Sequence, residues 1–369
     1  MTRYLLAGGG TAGHVNPLLA VADRLRECDP DATVLVLGTS EGLESRLVPA
    51  RGYELLLVDK VPFPRRLNRA AVHFPKRFSA AIRSTRELLQ AHKIDIVVGF
   101  GGFVSGPAYL AARRQRVPIV VHEANAIPGL ANRLGSLFTR FVGVAFEGTK
   151  LRGARFVGMP LRAELEQLDR ASARKGALTF FGLDPARPVL LVTGGSLGAV
   201  RINDTVFESA AAILGAGWQV LHITGERSPL PSTTPHGYHV LTYCDRMELA
   251  IAAADLVISR AGSGTVSELT ALSVAAVYVP LAIGNGEQSR NVRTVVAAGG
   301  ARVVDNASFT PDWVGRELVP LLLDRAAIAR LSARAATVGV RDGTDRMTKL
   351  IADALVSAST SANTGGVDS

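Results

Sequence analysis

Short runs of apolar, often β-branched residues alternate with longer helical stretches along the whole chain, the pattern of α/β layers around parallel sheets. In the first half the runs lie at residues 3–7, 33–37, 54–58, 94–100, 118–122 and 141–144. In the second half they lie at 189–193, 219–224, 239–242, 256–259, 275–279 and 301–304. The stretches between them read as helices, as at 16–26, where Asn16 can cap and Pro17 takes the first helical position. Both halves open with a strand running into a glycine-rich turn and a helix, so the expected fold class is α/β with two Rossmann-like domains facing one another. The boundaries expected are residues 1–160 for the first domain and 161–342 for the second, with the charge-rich stretch 162–174 as the link. A closing helix near 343–356 is expected to pack back on the first domain, and 357–369 reads as a disordered tail.

Composition narrows the class. A chain of 369 residues, 47% hydrophobic, holds enough for two cores, and 20% charged with 6% aromatic residues excludes a disordered chain. Two cysteines, Cys28 and Cys244, make neither a disulfide framework nor a four-ligand zinc site, which points to a reducing compartment. The opening MTRYLLAGGG, with four apolar residues before its glycines, does not read as a signal peptide. Two uncharged stretches, 96–112 and 269–286, are interrupted by glycines and by Pro107 or Pro280, so neither reads as a membrane span. A soluble or peripheral protein is expected.

The formal charge of +9 is uneven: residues 1–160 carry +10 and the remainder −1. The densest part holds Lys60, Arg65, Arg66, Arg69, Lys76, Arg77, Arg83 and Arg86, interleaved with Phe63, Phe74 and Phe78. Basic residues among large apolar ones suit an anionic lipid surface. A solvated helix face or a nucleic-acid patch fits this segment as well.

Glycine loops carry the chemistry. Gly8, Gly10 and Gly13 satisfy the G-x-G-x-x-G spacing after the first strand. A dinucleotide-binding dehydrogenase would also need a carboxylate at the end of the second strand, where Leu37-Gly38-Thr39 stands and Glu41 is the nearest downstream. Two further loops, Gly99 to Pro107 and Gly194 to Ala199, end strands in the same way. Three such turns point to two pyrophosphate-bearing ligands, and none is a Walker loop. In Ser259 to Glu268 a strand ends and a helix begins near Ser263, where free amides can receive a diphosphate and Glu268 can accept from both hydroxyls of a ribose. A capping box, Thr265-x-x-Glu268, is the alternative.

Together these motifs resemble the MurG family of GT-B glycosyltransferases. The residues that carry the resemblance are Gly9-Gly10-Thr11-Ala12-Gly13-His14, Gly101 to Pro107, His122-Glu123-Ala124-Asn125, Gly194 to Ala199 and Ser263 to Glu268, in that order. It spans about residues 3–355 and implies two Rossmann-like domains across a deep cleft. The implied activity is a metal-independent inverting transfer, without cofactor, of N-acetylglucosamine from UDP-GlcNAc to undecaprenyl-pyrophosphoryl-muramoyl-pentapeptide. The implied place is the cytoplasmic face of the cell membrane, held peripherally on its anionic inner leaflet, with other cell-wall synthesis proteins as partners and no nucleic acid. A different UDP-sugar glycolipid synthase is the nearest alternative.

Carried over onto this sequence, the resemblance puts Thr11, Ala12, Gly13 and Asn125 beside the sugar, and Arg162 and Ser196 at the nucleotide and diphosphate. The backbone at Cys244 would face uracil, with Met247 nearby. Ser263, Gly264, Thr265 and Val266 would bind the diphosphate through their amides, with Ser267 in the same segment; Glu268 would hold the ribose and Gln288 the sugar hydroxyls. Ala12, Leu197, Met159 and Glu287 depart from the residues common in the family. An inverting transfer needs a base for the muramoyl 4-hydroxyl, and His14 at the tip of the first loop is the best candidate; Glu123 is the second, with orienting the acceptor or His14 as its other role. A turn histidine bonding local backbone is the alternative for His14. Asp29-Pro30-Asp31, the sole D-x-D triplet, reads as a loop.

Overall fold

A computed structural model describes residues 1–64, 69–195, 198–226, 228, 231, 233–281 and 285–364, with side chains for all of these except 69–71 and 361–364. The chain divides into two compact units, Met1–Arg162 with Arg341–Ser369, and Ala163–Val340.

The first unit runs β1 (Arg3–Gly8), α1 (Ala12–Cys28), β2 (Thr33–Gly38), α2 (Glu44–Ala50), β3 (Glu54–Leu57), α3 (Arg69–Ala91), β4 (Ile96–Gly101) and α4 (Ser105–Gln115). It continues with β5 (Ile119–Glu123), α5 (Leu130–Gly135), β6 (Val142–Val144) and β7 (Ala154–Phe156). All seven strands are parallel, in the order β3-β2-β1-β4-β5-β6-β7. The sheet is buried on both faces. Tyr4 and Leu6 of β1 enter one core while Leu5 and Ala7 enter the other, and Val34 and Val36 of β2 separate from Leu35 and Leu37 in the same way. Two-sided burial is why these strands read as continuous apolar runs. β7 has no such run and is exposed along its length, so the hydrophobic pattern does not predict it.

The second unit runs α6 (Ala163–Glu166), α7 (Arg170–Phe181), β8 (Val189–Thr193), α8 (Val200–Glu208), α9 (Ala210–Gly215), β9 (Gln219–Ile223), β10 (Tyr238–Leu241) and α10 (Met247–Ala253). Then come β11 (Leu256–Ser259), α11 (Ser263–Ala271), β12 (Ala275–Tyr278), α12 (Glu287–Asn291), α13 (Arg293–Ala297) and β13 (Ala301–Val303). It ends with α14 (Pro311–Trp313), a π-helical turn Val314–Leu318, α15 (Val319–Leu323) and α16 (Arg325–Ala336). Its six parallel strands are ordered β10-β9-β8-β11-β12-β13. α17 (Gly343–Thr364) returns to the first unit, where Met347, Leu350, Ile351 and Ala354 join the core lined by Leu18, Ile96 and Val120.

Three local expectations are corrected. α1 starts at Ala12 with Thr11 as its N-cap, four residues before Asn16, so Pro17 lies inside the helix and His14 in its first turn. Segment 162–174 is less a link than a clamp. Asp169 caps α7, and Arg170 donates to the carbonyls of Ala254, Leu272 and Ser273, where α10 and α11 end. Arg174 adds bonds to Ala253 O and Asp255. Residues 357–364 continue α17 and do not open a disordered tail, the Ser359 and Thr360 hydroxyls bonding back to carbonyls one turn earlier.

Each unit buries a neutral histidine. His122 on β5 donates from Nε2 to Gly158 O at 3.2 Å, and burial lowers its pKa to about 4. His222 on β9 lies between the Tyr238 hydroxyl at 2.7 Å and Asn203 Oδ1 at 3.1 Å, and burial lowers its pKa to about 3. In the unfolded chain both titrate near 6.5. Stability is therefore complete above pH 6.5 and falls as the pH drops toward these lower values, with a slope of up to about 1.4 kcal/mol per pH unit for each histidine. Thermal unfolding between pH 7.5 and 4.5 is expected to show a plateau and then a decline, shallower in His222→Gln. A melting temperature unchanged from pH 7 to 5 would contradict this.

Candidate functional site

In both sheets the strand order reverses beside the first strand, between β1 and β4 and between β8 and β11. At such a point two loops leave the strand ends in opposite directions and open a crevice for ligands. The glycine loops stand at these points.

In the first unit, loop 8–11 carries His14 and loop 101–104 approaches it. The two are so close that a Cβ on Gly102 would lie 2.6 Å from Gly9 O, and Gly10, Gly101 and Gly102 all have positive φ. His14 is half-buried, its Nδ1 3.2 Å from Gly9 O and 3.4 Å from the Thr11 hydroxyl. A carbonyl only accepts, so in the neutral ring the bonded Nδ1 carries the proton and the lone pair falls on Nε2. The ring edge with Nε2 lies against Gly101, where a Cβ would be 3.1 Å away. The local backbone bond and a base role are thus compatible, since they use different nitrogens. Thr11 is exposed, and Ala12 and Gly13 are half-buried in the first turn of α1.

Glu123 is a correction. It is 2% exposed, its Oε1 accepts from the Asn125 amide at 2.9 Å, and its Oε2 accepts from Gly129 N and Asn132 Nδ2, both at 2.9 Å. Buried and bonded inward to Asn125, Gly129 and Asn132, the carboxylate shapes the backbone at Asn125 and does not face outward as a second base would. Asn132 also accepts from the Tyr109 hydroxyl at 2.7 Å and donates to His122 O. Ser105 performs the matching task for the other loop, bonding Gly101 N, Gly101 O and Ala7 O.

Glu44 is missed by sequence reasoning. It is wholly buried at the start of α2 and accepts from Gly10 N at 2.7 Å, Thr39 N at 3.0 Å and Thr39 Oγ1 at 2.8 Å. Gly9, Gly38 and Gly42 surround it so closely that a Cβ on any of them would come within 2.0–2.6 Å of its side chain. The three glycines and the glutamate belong to different motifs along the chain, so no local pattern announces the pocket. The end of β2, where a dehydrogenase would hold a ribose, is occupied by this inward carboxylate. Glu41 is exposed and paired with Lys60 at 3.2 Å.

The basic segment is described in part. Arg65 and Arg66 lie outside the described residues, and Arg69 begins α3. Phe63, Phe74 and Phe78 pack on one another, with centroids 5.1–5.6 Å apart, and Phe63 and Phe78 cover Gly106 at the start of α4. The rings are half-buried. Val72, 77% exposed, is the protruding apolar residue, with Lys76 exposed beside it. Arg77 donates to Lys60 O at 2.9 Å.

The second unit contains a cavity of about 800 Å³ lined by Gly194, Gly195, Gly198 and Ala199 on one side and by Arg260, Gly262, Thr265 and Gln288 on the other. α11 opens into it. Gly262 is the N-cap and contributes no side chain, and Val266 N makes the first helical bond, to Gly262 O at 2.9 Å. Ser263, Gly264 and Thr265 therefore keep amides that the helix does not use, the donors an anion needs. Val266 is a correction, because its amide is spent. The capping box is overturned too, since the cap lies three residues before Thr265. Glu268, half-buried next to Ser267, lies in the second turn of this helix, one turn beyond the Gly262 and Thr265 that line the cavity.

Gln288 has one end fixed: its Oε1 accepts from Ala261 N at 3.2 Å and Leu281 N at 2.9 Å, which leaves its Nε2 to donate into the cavity. Asn291 holds Ala261 O, so the approach to α11 is held from both sides. Arg260, which lines the cavity, points Nη1 at Val279 O and at Asn306 Oδ1. Cys244 is buried, and Met247 begins α10. Ser196 lies outside the described residues. Arg162 ends the first unit with its Nε buried and unpaired. Asp29-Pro30-Asp31 is the turn after α1, as expected, with Asp31 N bonded to Asp29. No helix among the described residues is long and apolar enough to cross a membrane.

Comparison with known proteins agrees with this anatomy. Residues 4–144 match the glycosyltransferase family 28 N-terminal domain and residues 189–347 the family 28 C-terminal domain. A relative from Leifsonia xyli, 61% identical over 97% of this chain and 100% of its own, is named UDP-N-acetylglucosamine--N-acetylmuramyl-(pentapeptide) pyrophosphoryl-undecaprenol N-acetylglucosamine transferase. A relative of the same name from Streptomyces coelicolor is 48% identical over 96% of this chain and 98% of its own. The crystal structure of Acinetobacter baumannii MurG superimposes with a TM-score of 0.77 at 28% identity, covering 96% of this chain and 100% of that one. With both domain types matched in order, the chain belongs to glycosyltransferase family 28.

Proposed function

We propose that this protein is an inverting hexosyltransferase that moves N-acetylglucosamine from UDP-GlcNAc to the 4-hydroxyl of lipid-linked muramoyl-pentapeptide in peptidoglycan synthesis. The observation that carries the reading is the unspent amide cluster of Ser263, Gly264 and Thr265 beside Gln288, in a family 28 chain whose near relatives are named for that transfer. The second unit takes the donor: these amides face the diphosphate, Glu268 the ribose and Gln288 Nε2 the sugar hydroxyls. The first unit takes the acceptor.

His14 Nε2 accepts the proton of the 4-hydroxyl as that oxygen bonds to the anomeric carbon from the face opposite UDP. The bond from the anomeric carbon to the β-phosphate oxygen breaks, and UDP leaves with the electron pair. Charge growing on that oxygen is met by the positive end of α11 and its amides, which are in place before the reaction. The acceptor is anchored in lipid, so the basic face around α3, with Val72 and the partly exposed phenylalanines, rests on the anionic cytoplasmic leaflet.

A transfer assay with radiolabelled UDP-GlcNAc and the lipid-linked acceptor tests the reaction itself. His14→Ala is expected to cut turnover by about 10²- to 10⁴-fold while donor binding, read by calorimetry, is kept; normal turnover would remove the base assignment. Glu268→Ala is expected to raise the donor Michaelis constant about ten- to a hundredfold through loss of a charged hydrogen-bond acceptor, and an unaltered constant would end the ribose assignment. Neutralising Arg65, Arg66, Lys76 and Arg77 together should weaken binding to anionic vesicles by about 1 kcal/mol per charge. Equal binding by the variant would return the segment to a solvated face.

A further inference from the structure

We propose that Glu44 is a positioning residue for the proton transfer, acting on His14 through the single peptide plane of Gly9 and Gly10. This deepens the reading of His14 as the base and rests on it. The peptide N–H, on Gly10, donates to Glu44 Oε2 at 2.7 Å. Its C=O, on Gly9, accepts from His14 Nδ1 at 3.2 Å. A trans peptide holds these two groups antiparallel in one plane, so carboxylate, N–H, C=O and imidazole form one hydrogen-bonded line. Negative charge at one end polarises the peptide and makes its carbonyl a stronger acceptor at the other. When Nε2 takes the substrate proton, the imidazolium is stabilised at Nδ1. A carboxylate bonded directly to a catalytic histidine does the same in serine hydrolases; here one peptide unit is inserted between them.

The surroundings suit that task. Glu44 is wholly buried, no cation is paired with it among the described residues, and its three partners are all donors. Gly9, Gly38 and Gly42 pack so closely on its side chain that none of them could carry a Cβ without displacing it. The other titratable groups around His14 offer no such path. Gly101 separates His14 from Asn132, which engages Glu123 and Tyr109 of β5 and α4. His122 on β5 interacts with His14 but is held neutral by burial. The first turn of α1 has no acidic residue, and its helix end opposes positive charge on the ring.

The test is Glu44→Gln, equal in size and neutral, in the transfer assay across pH 5 to 9. We expect the acid limb of kcat/KM to move about one pH unit lower, kcat on the plateau to fall about tenfold, and the UDP-GlcNAc Michaelis constant to stay within about twofold. Glu44→Asp, which keeps the charge, should leave the limb in place even if its melting temperature falls. A limb that stays put in Glu44→Gln overturns the proposal, whether or not activity and stability decline together. His14→Ala separates the two readings. If it retains turnover, the base assignment fails; if it is inactive while the Glu44→Gln limb is unmoved, the role of Glu44 alone fails. A second measurement needs no variant: ¹⁵N chemical shifts of the wild-type imidazole should report the Nδ1–H tautomer of His14, and the Nε2–H tautomer would also overturn it.

Discussion

The close approach of backbone to backbone at the carboxyl ends of the parallel strands is the constraint on which this structure depends. Gly102 meets Gly9 O, and Gly198 meets Thr224 O, at separations that leave no space for a side chain. Parallel strands deliver their loops to one edge of the sheet, and only residues without a Cβ let those loops nest there. Once nested, they present amides and carbonyls in fixed directions. The peptide planes before His14 and before α11 are held in place by this nesting and by hydrogen bonds from Gly10 N and Ala261 N.

Buried polar residues hold these planes. Glu44 secures the first loop, Ser105 the second, and Glu123 with Asn132 the third, each with its hydrogen-bonding capacity turned inward. In the second unit Gln288 and Asn291 hold Ala261, and Arg170 gathers the carbonyls where α10 and α11 end. Groups of this kind cost stability when left unpaired, so each anchored loop is also an energetic commitment of the fold.

The fold was legible in the sequence because burial on both faces writes each strand as an apolar run, and β7, which lacks that burial, was not. The motifs behind the candidate site were legible where a glycine loop follows such a run, before His14 and at Ser263 to Thr265, whereas Gln288 was singled out only through the family resemblance. The site was less legible where the decisive fact is the direction of a lone pair or an N–H. Glu123 and Glu44 are both acidic residues near glycine loops, and nothing local shows that both face inward. Val266 lies beside Thr265, yet one amide is spent in the helix and the other is not. The start of α1 was misplaced because Thr11 caps earlier than Asn16 and the helix tolerates Pro17.

The return of α17 to the first unit orders events in time. The core that begins at Tyr4 is completed by Met347, Leu350, Ile351 and Ala354. During synthesis the nascent first unit must wait for some 180 further residues, on the order of ten seconds or more at ordinary elongation rates. Over that interval Leu18, Ile96 and Val120 lie under an uncovered face while the second unit, continuous in sequence, can close on its own. The first unit is thus finished only after the second has been made, and until α17 is added its glycine loops rest on an incomplete core.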